Sequence, residues 1–127
     1  MTVVFTNGCF DILHRGHMEL LKYCAPKGRV VVGLNSDESV RRLKGPSRPY
    51  NLEEDRKVIL EGCRYVHEVI LFNEDTPYNL IKSLNPDIIV KGGDYTPAEV
   101  VGNDIAAVDI FNYIEGYSTT STLEKIK

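Results

Sequence analysis

The sequence of 127 residues predicts an α/β fold, a doubly wound parallel sheet of five strands. Three observations carry that reading. Short apolar runs that read as strands recur along the whole chain, and segments with helical spacing separate them. The stretch Val30-Val31-Val32-Gly33-Leu34 is unbroken by polar residues, the pattern of a strand buried on both faces. Strands alternating with helices close into a parallel sheet through right-handed crossovers. With 43% apolar residues the chain can build one core without staples, and residues 1–127 are expected to form a single domain.

The first strand is Val3-Val4-Phe5, followed by the unusual run Asn7-Gly8-Cys9-Phe10-Asp11-Ile12-Leu13-His14-Arg15-Gly16-His17. A helix starting near Gly16 puts His17, Leu20, Leu21 and Cys24 at i, i+3, i+4 and i+7 on the stripe that faces the sheet. His17 is then either a satisfied core residue or a site group looking up the strand end. His14, one turn earlier, falls where backbone N–H groups and the positive end of the helix dipole favour an anion. Gly8 and Gly16 fit a phosphate site, because a phosphate approaches backbone closely only where no Cβ intrudes.

Pro26-Lys27-Gly28 stops the helix, and Arg29–Leu34 is strand two. Ser36 caps a short helix that runs through Leu43 with Asp37 and Glu38 in its first turn. Lys44-Gly45-Pro46-Ser47-Arg48-Pro49-Tyr50 must be a loop, and with Arg41 and Arg42 it forms a local basic cluster. Asn51 and Glu54 read as the two halves of a capping box opening a helix with Val58, Ile59, Leu60 and Cys63. Arg56 lies on its inward stripe, a costly place for a cation unless it meets an anion or a carboxylate such as Glu53 or Asp55. Val66–Phe72 is strand three, with His67 exposed and uninvolved. Thr76-Pro77 reads as a cap and first-turn proline, Asn85-Pro86 closes that helix, and Asp87–Val90 is strand four. Val108–Phe111 is strand five, and a short C-terminal helix carries Leu123 and Ile126.

Composition excludes several classes of function. A net charge of −3 lacks the extended basic field that a nucleic-acid or anionic-membrane surface needs. No apolar run approaches a membrane span and the chain enters a strand directly, so a soluble, cytoplasmic protein is expected. Cys9, Cys24 and Cys63 are too widely spaced for a disulfide framework or a zinc site, and the last two read as core residues. The Gly-Lys-Ser/Thr of a P-loop and the spaced glycines of a dinucleotide site are both missing.

In doubly wound sheets ligands bind off the carboxyl ends of the strands where strand order reverses. Non-structural residues stand at four of those ends here: Asn7 to His17, Asn35 to Asp37, Lys91 to Asp94, and Glu115 to Thr120. Gly92-Gly93 lets backbone close on a flat ligand. Gly116 followed by Ser118, Thr119 and Thr120 offers a second phosphate cradle, or simply a helix cap. Two cradles with lysine and arginine nearby suggest a polyphosphate.

Asn7-Gly8-Cys9-Phe10-Asp11 and His14-Arg15-Gly16-His17 resemble the HxGH nucleotidyltransferases, in which a strand leads into (Y/N)G(T/C)FD and then HxGH. Asn35 to Gly45, Glu54-Asp55-Arg56, Glu74 to Pro77, Val90 to Tyr95 and Glu115 to Thr120 extend the resemblance over the whole chain. They are most similar to the adenylyltransferase domain of bacterial ADP-heptose synthesis, with glycerol-3-phosphate cytidylyltransferases as near relatives. The resemblance implies a Rossmann-like nucleotidyltransferase fold that transfers AMP from ATP to a heptose 1-phosphate, releasing pyrophosphate with the help of Mg2+. It implies that His14, His17 and Lys44 act on the phosphates, and that Asn7, Gly8, Phe10, Gly16, Gly92, Asp94, Ser118, Thr119 and Thr120 hold the nucleotide. Asp11, Asp37, Arg56 and Lys91 are its candidates for the sugar phosphate, and no protein metal ligand is named. It further implies a homodimer and a sugar kinase on a separate protein. Two departures separate the chain from the cytidylyltransferases. Tyr113-Ile114-Glu115-Gly116 stands where they have Arg-Thr-Glu-Gly, and Lys91-Gly92-Gly93-Asp94-Tyr95 where they resemble Met-Gly-Asp-Asp-Trp. The segment from Val101 to Val108 is also shorter than in the heptose enzymes. A glycerol-3-phosphate cytidylyltransferase and a non-catalytic nucleotide sensor are the competing functions.

Overall fold

A computed structural model describes residues 1–93 and 95–111 of the chain. The five strands are β1 (Val3–Gly8), β2 (Arg29–Asn35), β3 (Glu68–Phe72), β4 (Ile88–Gly92) and β5 (Ala107–Phe111). Helices α1 (Arg15–Cys24), α2 (Asp37–Lys44), α3 (Glu53–Glu61) and α4 (Tyr78–Leu84) alternate with them, and short 3-10 turns lie at Ala25–Lys27 and Pro97–Glu99. All neighbours pair in parallel, in the order β3-β2-β1-β4-β5. The predicted α/β class and strand count therefore hold. Asp94 and residues 112–127, with the expected C-terminal helix, lie outside the described residues.

The sheet separates two cores. Val4, Leu21, Cys24, Val30, Val32, Leu60 and Val90 fill one side, and Phe5, Val31, Ile81, Ile89 and Val100 the other. Cys24 is fully buried as expected and Cys63 packs at the margin. Gly33 sits in β2 because a Cβ there would stand 2.6 Å from the Phe5 ring, closer than atoms can pack.

The pairing of β1 shapes the site. Against β2 it runs the full length from Val3 to Gly8, but against β4 it couples only Val4 with Ile88 and Phe5 with Ile89. Beyond Phe5 the two strands are no longer laddered, and this is where the chain, having wound outward to β3, crosses back to begin the other half of the sheet. The crevice of a doubly wound fold opens at that position.

Several local expectations are corrected. Leu52, not Asn51, is the residue before α3, and its apolar side chain cannot cap; the Asn51 amide donates instead to the Asp11 carbonyl at 2.8 Å. Val58 and Ile59 are exposed, while Arg56 and Leu60 face inward, so the buried stripe of α3 is narrower than its apolar content suggests. Helix α4 begins at Tyr78 with Pro77 preceding it and no side-chain cap, so Thr76-Pro77 is not the cap pair the order suggested. Asn85 does end α4, in the left-handed conformation. His67 is exposed but not uninvolved: its Nδ1 accepts the Val30 N–H at 2.9 Å, tying the entry of β3 to β2.

Arg56 is the main polar element of the interior. It is 1% exposed and donates to the carbonyls of Asn51, Cys9 and Asn35 and to Asp37 Oδ1, all at 2.8–2.9 Å. The expected partners Glu53 and Asp55 are thus replaced by Asp37 and three backbone oxygens. Glu53 instead accepts the Asp37 N–H at 2.9 Å, at the start of α2. Removing the guanidinium strands four acceptors withdrawn wholly or in part from water, one of them charged. Arg56→Met is expected to lower unfolding free energy by about 3–5 kcal/mol in urea denaturation, whereas Lys57→Met, on the same helix, should change it little.

Candidate functional site

The site is assembled where β1 ends. Gly8 leads into Phe10, which takes φ +44°, and folds its ring back so closely that a Cβ on Gly8 would stand 3.2 Å from it. A non-glycine residue in the left-handed region is strained by of order 1–3 kcal/mol and persists only where its surroundings hold it. Phe10 is held by burial and by the His17 ring, 5.1 Å away between centroids. Gly8 is thus explained by the Phe10 ring as well as by any ligand.

The two histidines are stacked, with centroids 3.9 Å apart and planes 23° from parallel. They cap α1 reciprocally: His14 Nδ1 accepts the Gly16 N–H at 3.1 Å and His17 Nδ1 accepts the His14 N–H at 3.3 Å. This satisfies helix-start donors in the manner of a capping box, with imidazoles in place of hydroxyl and carboxylate. Because each Nδ1 is an acceptor, a neutral ring carries its proton on Nε2. Burial lowers the pKa of His14, and burial together with the charges of His14 and Lys44 pushes that of His17 down to about 4. Both rings are therefore neutral N–H donors at pH 7, set at the positive end of α1.

A cleft of about 430 Å³ opens off the same strand ends. Asn7 and Gly8 from β1, Cys9 just after it, Asn35 from β2, Lys44 from α2 and Lys91 from β4 line it, together with Tyr95 and Val100. Burial lowers the pKa of Lys91, whose Nζ lies 5.2 Å from the centre of the Tyr95 ring. Lys44 is exposed at the end of α2 and its charge reaches His17. Burial pushes the Cys9 thiol up, against the opposing influence of Lys44 and Arg56.

Of the candidate residues, Asn7, Gly8, Lys44 and Lys91 meet in this cleft, and Phe10, His14, Gly16 and His17 form the turn beside it. Asp37 and Arg56 bind one another beneath it. Asp11 is buried, and its two oxygens accept the N–H groups of Tyr50 and Asn51 at 2.8 Å each. The loop from Lys44 to Tyr50 is thus tied down by Asp11 rather than held by its prolines alone. A Cβ on Gly92 would make ordinary contact with Leu20 of α1, at 3.8 Å, so packing within the chain does not by itself require glycine there. Gly93 takes φ +109°, which a larger residue would resist. Asp94, Ser118, Thr119 and Thr120 lie outside the described residues. Among those described, no group of three or more His, Cys, Asp or Glu side chains is placed to hold a metal ion.

Cys9, Asn35 and Arg48 were not singled out as site residues by the sequence. Asn35 stood only within the strand-end stretch running to Asp37 and Arg48 only within the basic loop, since their individual contacts are with residues far away in sequence. Cys9 stood inside the motif but was read only for what it lacks, a disulfide or zinc partner.

The sequence profile of the cytidylyltransferase-like family matches residues 5–114, which spans both the histidine turn and the cleft. The chain belongs to the cytidylyltransferase-like family. It is accordingly an enzyme of the nucleotidyltransferase type. The bifunctional protein HldE of Wolinella succinogenes is 51% identical over 127 residues, covering 98% of this chain and 27% of that protein. HldE of Campylobacter concisus is 53% identical with the same coverage. The chain thus spans about a quarter of the length of the curated relatives it matches. Among solved structures, a lipopolysaccharide core biosynthesis protein from Thermoplasma volcanium superposes with a TM-score of 0.74 at 29% identity, covering 93% of this chain and 99% of that one. Among the described residues, no helix is long and apolar enough to cross a membrane.

The neutral state of His17 makes a stability prediction with a definite sign. Between its ordinary pKa of 6.5 and the folded value of about 4, the unfolded chain binds a proton that the native state refuses. Stability therefore falls as pH drops through that window, and the lowered pKa of His14 adds in the same direction. Thermal melts from pH 7 to pH 4.5 should show a smaller loss for His17→Gln than for the wild type. Equal losses would place the acid sensitivity elsewhere.

Proposed function

We propose that this chain transfers the adenylyl group of ATP to a heptose 1-phosphate, releasing pyrophosphate and forming an ADP-sugar. The observation that carries the reading is the stacked, neutral His14–His17 pair at the start of α1, next to a cleft with two lysines. Family membership from residue 5 to 114 and the similarity to HldE support it.

The chemistry asks for positioning rather than covalent help. A phosphate oxygen of the acceptor is already nucleophilic, and it attacks the α-phosphorus while the bond to pyrophosphate breaks and the electron pair leaves with it. Charge that gathers on the crowded α-phosphate is stabilised by donors already in place. His14 and His17 supply these from Nε2, and because Nδ1 of each ring is engaged with backbone, the rings need no reorientation to do so. Neutral donors suit this step: they stabilise oxyanions without protonating the nucleophile. Lys44 and Lys91 balance the charge of the triphosphate and the departing pyrophosphate, and Asn7 and Gly8 form the adjoining wall. Ser118, Thr119 and Thr120 are the proposed second phosphate cradle, with Asp94 beside the nucleotide.

The donor set suits Mg2+ carried on phosphate oxygens and water, the coordination this ion prefers, since the described residues offer no carboxylate cage. Bound there, the ion would neutralise charge on the leaving group. Asp37 and Arg56 contribute by fixing the end of β2 and the start of α2, and Asp11 by holding the loop that follows Lys44. A homodimer, and a sugar kinase activity that supplies the sugar 1-phosphate, complete the proposal.

His14→Ala and His17→Ala should each reduce kcat in a pyrophosphate-release assay by about two to three orders of magnitude, the usual cost of losing a charge-stabilising donor. Near-normal rates in both would make the pair structural. ATP and CTP supplied together at equal concentration, with heptose 1-phosphate, should yield mainly the ADP-sugar, in a ratio of about 10–200. The missing arginine before Glu115 motivates that preference, as does the glycine pair after β4, in which Gly93 alone meets a backbone requirement. Predominance of the CDP-sugar would favour the cytidylyltransferase reading. Binding of nucleotide with no pyrophosphate release for any acceptor would favour a sensor.

A further inference from the structure

Two arginines have side chains withdrawn from solvent at this end of the sheet, and they differ in how completely they are satisfied. The side chain of Arg56 is 0% exposed and makes four hydrogen bonds to protein acceptors. The side chain of Arg48 is 14% exposed, and its guanidinium makes no hydrogen bond to any described residue. Its Nε is fully buried and lies 3.5 Å from Asp11 Oδ2, an ion-pair distance that is too long for a good hydrogen bond. Both Asp11 oxygens are already engaged by the N–H groups of Tyr50 and Asn51 at 2.8 Å. The guanidinium carbon lies over the Tyr50 ring, 4.9 Å from its centre.

This arrangement fixes a cation without using its donors. The Tyr50 ring and the Asp11 carboxylate hold its charge from two sides, and neither takes a hydrogen bond from it. The Nη N–H groups, four in all, keep their capacity. Nη donors that no protein acceptor takes, on a cation held in place by its neighbours, are either simply hydrated or a receptor for an oxygen ligand. Position argues for the second. Arg48 lies between Lys44, which lines the cleft, and Asn51, whose carbonyl is bound by Arg56. Its charge is also felt at Cys9 in the cleft lining.

We propose that Arg48 is a phosphate receptor, its guanidinium forking onto two oxygens of a phosphate group of one of the two substrates, the triphosphate or the sugar 1-phosphate. This rests on the nucleotidyl-transfer reading for the identity of the ligands, but not for the presence of the receptor. Asp11 and Tyr50 act on it as positioning residues. The fork matters as well as the charge, since a lysine presents a point charge and cannot bind bidentately.

Binding to the intact chain, measured by calorimetry without turnover, tests the receptor apart from the reaction. Inorganic tripolyphosphate with magnesium stands for the nucleotide tail. Heptose 1-phosphate, added with a non-hydrolysable ATP analogue already bound, stands for the acceptor. Arg48→Gln should weaken one of the two by about tenfold or more, and the arm that moves names the substrate. Arg48→Lys, which keeps the charge near Asp11, should recover only part of the loss, with a melting temperature close to the wild type. Unchanged affinity for both ligands in Arg48→Gln would overturn the proposal. So would equal loss in both arms accompanied by faster protease cutting between residues 44 and 51, the signature of a loop strap. Should Arg48→Gln fail to fold, wild-type affinity for both ligands in Arg48→Lys would overturn it. Arg48-dependent phosphate binding in a protein that releases no pyrophosphate would uphold the receptor and remove the transferase reading.

Discussion

One buried guanidinium holds the floor of the site together. Arg56 reaches from α3 to the carbonyl of Cys9 after β1, the carbonyl of Asn35 at the end of β2, the Asp37 carboxylate opening α2, and the Asn51 carbonyl before its own helix. Strand ends in a parallel sheet leave carbonyls without ladder partners, and burying them unpaired is costly. A planar cation with divergent donors satisfies several at once and sets the relative positions of the elements that bear them. The residues named for chemistry then stand on a platform whose bonds are made between protein groups.

On that platform the histidine turn is built with little freedom. Phe10 is forced into the left-handed region, its ring backs His17, and the two imidazoles cap the helix that follows. Each ring is oriented by a backbone N–H on Nδ1, which fixes the tautomer, and withdrawal from water keeps it neutral. A pair fixed in this way fits the proposed role, in which donors to phosphate are set in place before the charge develops. The unladdered stretch between β1 and β4 leaves room beside them, and the lysines of α2 and β4 enter from two sides.

Much of this was legible in the sequence because it is local. The strand runs, the Ser36 cap and the turn at Asn85 follow from periodicity and from residues a few positions apart. The histidine turn was legible for the same reason, as a short motif directly after a strand. What escaped were pairings across long separations. Asn51 looked like a cap, but Asp11, 40 residues earlier, claims it. Arg56 was recognised as inward, yet its acceptors lie in three other segments, and two nearby carboxylates looked equally suitable. His67 alternated with apolar neighbours and gave no sign of its bond to Val30, 37 residues away. Val58 and Ile59 misled because apolar identity does not say which face a short helix buries.

The central claim is that His14 and His17 are a neutral, backbone-oriented pair that donates from Nε2 to phosphate. It is tested most directly by nitrogen–proton NMR of the imidazole side chains at pH 7, recorded without and with a non-hydrolysable ATP analogue and magnesium. The account predicts two neutral rings protonated at Nε2 in the free protein, with Nε2 the nitrogen that shifts in both rings when the analogue binds. A ring protonated at Nδ1, an imidazolium in the free protein, or Nε2 signals that ignore the analogue would contradict it.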